Sequence, residues 1–343
     1  MKLLVITQKI NKNDPVLGFF HRWVVELASA YEAITVICLE KGEYDVPHNV
    51  SVLSLGKEGG QSKWKYLKNF YTYIFLKRKE YDAVFVHMNE EYVLLGGFLW
   101  KLLRKPIYMW RNHHAGSEFT NIVSLFCKNI FCTSKYSYTA KFKKTIRMPV
   151  GVDTSVFVSH GRDKKPHSIL FLARIAPVKK PDVLIRALGI LAQKKVPFSA
   201  TIVGDALPKD SEYADSLRVL VKDEGVSDKV VFLPGIPNDQ TPEVYSSHEV
   251  FVNLSSSGMY DKTIFEAMAC ETLVLASNEN LRGLIDDDFI FTEGDVVELA
   301  SKLERIILMD RSSRVTHGAI MRDVVLKQHS LDKLRDKLVQ VIH

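Results

Sequence analysis

EVFVNLSSSGMYDKTIFEAMACETLVLAS, residues 249–277, reads as a strand, a turn of small residues, a helix and a second strand. The runs Glu249–Leu254 and Leu273–Ser277 are almost unbroken apolar stretches, the pattern of strands covered on both faces. A helix between two such strands is the connection that a parallel sheet requires. Gly258 lets a ligand approach the backbone of the turn, and the amides around Tyr260–Thr263 carry the positive end of the helix dipole. That start suits a phosphate, and Glu266, one turn in, is placed to accept hydrogen bonds from two ribose hydroxyls. A plainer reading stands beside it: Thr263 and Glu266 match a capping box, and Asp261 an N-cap.

The same alternation extends outward over nearly the whole chain. In the second half the strands are Ser168–Ala173, Ser199–Gly204, Val230–Leu233 and Phe289–Phe291, with helices at Lys180–Lys195, Glu212–Glu224, Glu266–Cys270 and Val296–Leu308. In the first half the strands are Leu3–Thr7, Ile34–Leu39, Val50–Leu55, Ala83–His87, Pro106–Trp110, Ile130–Thr133 and Thr145–Met148. Helical periodicity fills Gly18–Tyr31, Lys63–Lys79, Glu91–Leu103 and Lys135–Lys143. The charged, aperiodic stretch SVFVSHGRDKKPH, Ser155–His167, separates the two series and is the expected linker. The expectation is therefore an α/β protein of two Rossmann-like domains, residues 1–157 and 165–328, with parallel sheets facing across a cleft. Residues 329–343, including the amphipathic segment Leu331–Ile342, are expected to cross back to the first domain. Open parallel sheets bind ligands outside the carboxyl ends of their strands.

Length and composition agree with two domains. The chain has 343 residues, 46% hydrophobic and 25% charged, with 18 Gly and 12 Pro, which excludes collagen-like, disordered and small disulfide-stapled classes. The longest apolar candidate for a membrane span, Val93–Trp110, is interrupted by Lys101, Arg104 and Lys105. The N-terminus runs directly into a strand pattern and lacks a secretory signature, so a cytoplasmic location is expected. Cys38, Cys127, Cys132 and Cys270 have neither disulfide-framework nor zinc-ligand spacing and read as reduced, buried thiols. Net charge is +6, but residues 1–160 hold 22 Lys and Arg against 13 Asp and Glu, while the remainder holds 24 against 27. The basic first half points to an anionic partner.

A second constellation is FLARIAPVKKPDVLIRAL, Phe171–Leu188. Arg174 closes a strand and Lys179 follows five residues later, before a helix, so both cations can converge on a diphosphate and neutralise charge as it departs. The alternative is two solvated loop charges.

Taken together these segments resemble the family-four retaining glycosyltransferases, the glycosyl transferases group 1, which have the GT-B fold. Ala173-Arg174-Ile175…Lys179-Lys180 matches the family's G-R-L-x-x-x-K-G, and Glu266-Ala267-Met268-Ala269-Cys270 matches the end of E-G-F-G-L-x-x-x-E-A-M-A-C-G. MPVGVDTSVF (Met148–Phe157) looks like the interdomain P-N-G-V-D-x-x-x-F, and TIVGD (Thr201–Asp205) and FLPGI (Phe232–Ile236) match further strand-end turns. The resemblance covers almost the full length. It implies donor contacts at Gly204, Ile236, Gly258, Asp261, Lys262 and Glu266, with Arg174 and Lys179 at the leaving diphosphate. Three positions depart from the pattern. Gly258 stands where the first glutamate belongs, Glu271 replaces a glycine, and Lys180 replaces the glycine after Lys179. Asp261, in the same turn as Gly258, is the residue expected to hold sugar hydroxyls instead.

The first domain is expected to serve the acceptor. In NDPVLGFFHRW (Asn13–Trp23), Gly18 would bring the helix amides to the diphosphate, and His21 and Arg22 follow as secondary contacts. In YMWRNHHAGS (Tyr108–Ser117), the resemblance implies a His near the reacting carbon; His113 has the better spacing and His114 is the alternative. KWKYLKNFYTYIFLKRK, Lys63–Lys79, interleaves cations and aromatics. Two readings stand, a sheet-covering helix with a solvated basic face and a helix at an anionic membrane surface. No nucleic-acid-binding motif accompanies it.

The sequence thus leads to a retaining, metal-independent hexosyltransferase. It uses a nucleoside diphosphate sugar and no cofactor, and acts on a glycan or lipid-linked acceptor in cell-envelope or polysaccharide synthesis. The rival from another class is a sugar-nucleotide-binding protein of the same fold without catalysis. A dinucleotide-dependent oxidoreductase is disfavoured because no GxGxxG follows a first strand.

Overall fold

The computed structural model describes residues 1–14, 16–159 and 164–342. Residue 15 in the Asn13–Trp23 motif and residues 160–163 of the expected linker lie outside the described residues. The chain divides into two compact units, Met1–Gly151 together with the segment from Leu331 onward, and Val152–Ser330.

The first unit comprises β1 (Lys2–Ile10), α1 (Gly18–Ala28), β2 (Ala33–Lys41), β3 (Val50–Ser54), α2 (Lys63–Leu76), β4 (Ala83–His87), α3 (Glu91–Leu102), β5 (Ile107–Trp110), α4 (Glu118–Phe126), β6 (Asn129–Cys132) and β7 (Thr145–Arg147). Its seven strands are all parallel, in the order β3-β2-β1-β4-β5-β6-β7. Alternate residues of β1 enter opposite layers. Leu3 and Val5 pack with Phe20, Trp23 and Leu27 of α1, whereas Leu4 and Ile6 pack with Phe70, Trp100 and Val123 of α2, α3 and α4.

The second unit comprises β8 (Ser168–Leu172), α5 (Pro181–Gln193), β9 (Ser199–Val203), α6 (Ser211–Asp223), β10 (Val230–Leu233), α7 (Thr241–Ser246), β11 (Val250–Asn253), α8 (Lys262–Ala269), β12 (Leu273–Ala276), α9 (Val296–Ile307) and α10 (Arg311–Val324). Its five parallel strands run β10-β9-β8-β11-β12. A π-helical turn, Val325–His329, leads toward α11 (Leu331–Val341), which belongs to the first unit. There Leu334 and Leu338 of α11 pack with Trp23 and Leu27, and Arg335 pairs with Glu26. Gly151 is required at this point: its φ is +74°, and a Cβ would stand 2.4 Å from Leu334.

Several elements differ from the sequence expectation. Val152–Phe157 joins the second unit, so the division falls after Gly151 and not after residue 157. Lys135–Lys143 forms only a 3₁₀ turn at Tyr138–Lys141, and α4 supplies the helix before β6. Phe289–Phe291 is no strand; a 3₁₀ turn at Asp287–Phe289 leaves Ile290 in a single bridge to Ala276. The helix of the opening motif starts at Lys262, four residues before Glu266. The four cysteines are buried free thiols.

Candidate functional site

In the second unit the strand order turns back between β8 and β11, so the loops leaving these neighbouring strands diverge and a ligand can enter between them. Ala173–Lys180 leaves β8, and Leu254–Asp261 leaves β11. The β8 loop is fastened to the loop after β9: Ile175 N donates to Asp205 O at 3.0 Å. Gly204 makes this approach possible. It has φ +151°, and a Cβ there would lie 1.9 Å from the Ala173 carbonyl oxygen, in the residue before Arg174. Gly235 serves the neighbouring turn, where a Cβ would meet the Asp205 carboxylate at 2.7 Å; the adjoining Ile236 is half-buried.

Lys179 closes a 3₁₀ turn, Pro177–Lys179, and its ammonium donates to Ser255 Oγ at 3.0 Å and to the Asp261 carboxylate. Ser255 Oγ also donates to Asp261 Oδ2 at 2.8 Å. Asp261 caps α8, accepting from Thr263 N at 3.4 Å and Thr263 Oγ1 at 3.0 Å. Burial alone would raise the Asp261 carboxyl, but the Lys179 ammonium and the Ser255 and Thr263 hydrogen bonds outweigh it and hold the group well below the usual carboxylate range. Arg174 is exposed and makes no hydrogen bond or ion pair to another described residue. The two expected cations thus differ: Lys179 is already paired, whereas Arg174 remains available to an anion.

Glu266 is 2% exposed, and its carboxylate accepts from Asn238 Nδ2 at 3.2 Å and Tyr245 OH at 3.3 Å. Burial pushes its carboxyl up, against the opposing pull of Lys262, the first residue of α8. The turn containing Gly258 is held from the loop after β12. Asn278 Nδ2 donates to Met259 O at 2.9 Å, Asn280 Nδ2 to Ser257 O at 2.7 Å, and Tyr260 OH to Asn280 O at 2.7 Å. Arg174, Lys179, Gly204, Asp261 and Glu266 therefore lie on loops and a helix start at one sheet edge. The sequence reading missed Ser255, Asn238 and Tyr245. Ser255 and Asn238, in the loops after β11 and β10, offered the signal of small and amide side chains past strand ends; Tyr245, inside α7, offered none.

In the first unit Gly18 donates its N–H to Asp14 O at 3.0 Å, and the preceding amides of Val16 and Leu17 donate to Asp14 Oδ1 at 2.9 and 2.7 Å. The start of α1 thus holds an internal carboxylate. His21 is buried, accepts from Asp45 N at 3.1 Å through Nε2, and burial lowers its pKa. His113 and His114 are exposed with rings stacked at 4.5 Å, and His113 Nδ1 accepts from Ala115 N at 3.0 Å. Their loop is anchored by Arg111, which forms a two-point pair with Glu90 at 2.6 and 3.1 Å. His87, ending β4, escaped the sequence reading; it is buried, stacks on Phe20 at 3.8 Å, and has Nδ1 3.3 Å from Thr7 Oγ1.

Among the described residues no group of three His, Cys, Asp or Glu could hold a metal ion, and no helix is long and apolar enough to cross a membrane.

Comparison with known proteins agrees with this layout. The glycosyl transferases group 1 family matches residues 153–318, and the glycosyl transferase 4-like family matches residues 15–139. Two glycosyltransferase families thus match most of the chain, the group 1 family over the second unit. Among solved structures, Anabaena HepE in complex with UDP has a TM-score of 0.80 at 18% identity, covering 100% of this chain and 99% of that one, which shows the GT-B fold. The D-inositol 3-phosphate glycosyltransferase of Acidothermus cellulolyticus is 30% identical over 38% of this chain and 32% of its own length. The GDP-mannose-dependent alpha-(1-6)-phosphatidylinositol monomannoside mannosyltransferase of Mycobacterium tuberculosis is 26% identical over 71% of this chain and 66% of its own length. The chain thus spans from about a third to just under two thirds of the length of these curated relatives.

Proposed function

We propose that the protein transfers a sugar from a nucleoside diphosphate to a hydroxyl of a glycan or lipid-linked acceptor in envelope or polysaccharide synthesis. The transfer keeps the anomeric configuration and uses no metal. The observation that supports this reading is that Arg174 and Lys179 share the loop leaving β8, with Lys179 bonded to Ser255 and Asp261 at the start of α8. The bond from the anomeric carbon to the diphosphate oxygen breaks, and its electron pair leaves with the nucleoside diphosphate. Arg174, Lys179 and the α8 amides stabilise that charge. The acceptor oxygen bonds to the same face of the anomeric carbon, and its proton passes to the departing diphosphate oxygen, so no enzyme base is required. Glu266 anchors the ribose, and His113 keeps the acceptor-side role that the family resemblance implies. A lipid-linked acceptor suits the basic, aromatic α2, which would hold the protein at the cytoplasmic face of a membrane.

HepE, of matching fold, has been solved with UDP and with UDP-glucose, and the mycobacterial relative is named for GDP-mannose, so both bases belong in the test. Calorimetry with UDP, GDP and NAD, followed by hydrolysis of a panel of UDP- and GDP-sugars, tests the reading. Binding of UDP or GDP with donor turnover is the expected result, and preference for NAD would overturn it. Nucleotide binding with neither transfer nor hydrolysis would support the second reading, a non-catalytic sugar-nucleotide-binding protein. That reading is favoured by Gly258 at the first-glutamate position and by the pairing of Lys179 with Asp261.

A further inference from the structure

Helices α2, α3 and α4 cover one face of the first sheet, and their outward sides do not look like an ordinary solvated layer. On α2 the outward stripe carries Trp64, 80% exposed, and Phe75, 52% exposed, with the exposed Lys68 between them. On α3, Phe98 and Leu102, one turn apart, are 75% and 71% exposed. On α4, Ile122 and Leu125 are 51% and 68% exposed. The three helices form one layer: they share an inner core, Tyr71 OH of α2 donates to Leu95 O of α3 at 3.0 Å, and Lys101 Nζ of α3 donates to Leu125 O of α4 at 2.9 Å. Helical spacing that should bury apolar residues here points a second set of them outward.

The surrounding charge identifies the occupant. Residues 63–79 contain six cations and no carboxylate. Between the C-terminal ends of α3 and α4 lies a shallow groove lined by Lys101, Arg104, Lys105 and Lys128, also without a carboxylate. A second copy of the chain seated face to face would set these cations against one another. A nucleic acid would use the cations and rings but gains little from aliphatic Leu102, Ile122 and Leu125, which stack poorly on bases. Aliphatic side chains standing among Lys, Arg and an exposed Trp match the boundary between acyl chains and anionic headgroups.

We propose that the outer face of α2, α3 and α4 docks on an anionic lipid leaflet, with the Lys101–Arg104–Lys105–Lys128 groove seating a headgroup phosphate. This extends the membrane reading of α2 to three helices and a defined headgroup site, and it does not depend on sugar transfer. Its test is co-sedimentation of the full chain with vesicles of phosphatidylcholine alone and with about 30% phosphatidylglycerol. Binding only to the anionic vesicles, weakening as salt rises, is expected. The double variant Arg104→Glu/Lys128→Glu should lower that binding at least about tenfold. Phe98→Ser/Leu102→Ser/Leu125→Ser should lower it as well, both variants keeping the wild-type circular dichroism and UDP affinity. The proposal is overturned by equal binding to neutral vesicles, by binding that neither variant changes, or by no vesicle binding. It is also overturned if the face instead supports concentration-dependent dimerisation or oligonucleotide binding that the same variants abolish. Loss of nucleotide binding in the wild type would count against the transferase reading and leave the vesicle result standing.

Discussion

The segments entering α1 and α8 each hold an aspartate that accepts backbone amides and pairs with a lysine, in the turn before α1 and at the N-cap of α8. Asp14 takes the Val16 and Leu17 amides and pairs with Lys9 at 3.0 Å, while Asp261 caps α8 and pairs with Lys179. The neighbourhoods differ. Lys9 also pairs with Glu40 at 2.6 Å, and hydrogen bonding to that carboxylate raises its pKa, so two fixed anions hold one cation. Lys179 faces one carboxylate and one hydroxyl, with the unpaired Arg174 on the same loop. An incoming diphosphate displaces a single anion to claim Lys179 and would have to displace two to claim Lys9. Under the proposed function this comparison makes the α1 pair structural and the α8 pair a charge reserve for the ligand.

The sharpest way to break the comparison is to remove each lysine. Lys179→Ala and Arg174→Ala should each slow transfer by about 100- to 1000-fold with melting temperature nearly unchanged. Lys9→Ala should leave turnover within about threefold and cost about 1 kcal/mol of stability in urea unfolding. Similar kinetic losses from Lys9→Ala and Lys179→Ala would erase the distinction.

Next in size is Gly204→Ala. Its Cβ meets the Ala173 carbonyl, a backbone atom that cannot step aside without moving the Arg174 loop. A loss of about 3 kcal/mol is expected, visible as a lower melting temperature, and nucleotide affinity should fall with it. Unchanged melting would mean that the two loops are not packed so closely.

The sheets, and the loops that form the site, were legible because parallel strands buried on both faces leave short apolar runs, and their carboxyl ends give the loops. Arg174, Lys179 and Glu266 were proposed from that pattern, and Gly204 from the family resemblance. The Lys179–Asp261 pair was hidden by its separation of 82 residues, since only the β8–β11 neighbourhood brings the two together. Helix α4 escaped because Phe119, Ile122 and Leu125 mark its outward side and blur the usual burial pattern. In α10 only Gly318 and Met321 are buried, too few to set a period. The apolar run at Phe289–Phe291 imitated a strand although its residues are buried from a turn.

A smaller effect tests the charge reserve directly. Asparagine caps a helix as well as aspartate, so Asp261→Asn should retain α8 while releasing Lys179, tightening nucleoside diphosphate binding about fivefold in calorimetry. Asp14→Asn should leave that affinity alone. If Asp261→Asn weakens binding, the carboxylate is needed to place Lys179 or to hold the sugar, and the reserve picture fails.

The last contrast lies within α8, where Asp261 is held ionised and Glu266, five residues on, is pushed the other way by burial. A carboxyl whose folded pKa is raised keeps its proton in the fold after the unfolded chain has lost it. Its contribution to stability is therefore whole below the ordinary value near 4.5 and is lost as pH rises through the raised one. Glu266→Gln removes that loss: its amide oxygen can still accept from Asn238, and its NH₂ can donate to the Tyr245 hydroxyl. Compared with wild type, the variant should gain stability on going from pH 4.5 to pH 7 in urea unfolding. An equal difference at both pH values would show that Glu266 titrates as an ordinary surface carboxylate does, and that Asn238 and Tyr245 compensate its burial in full.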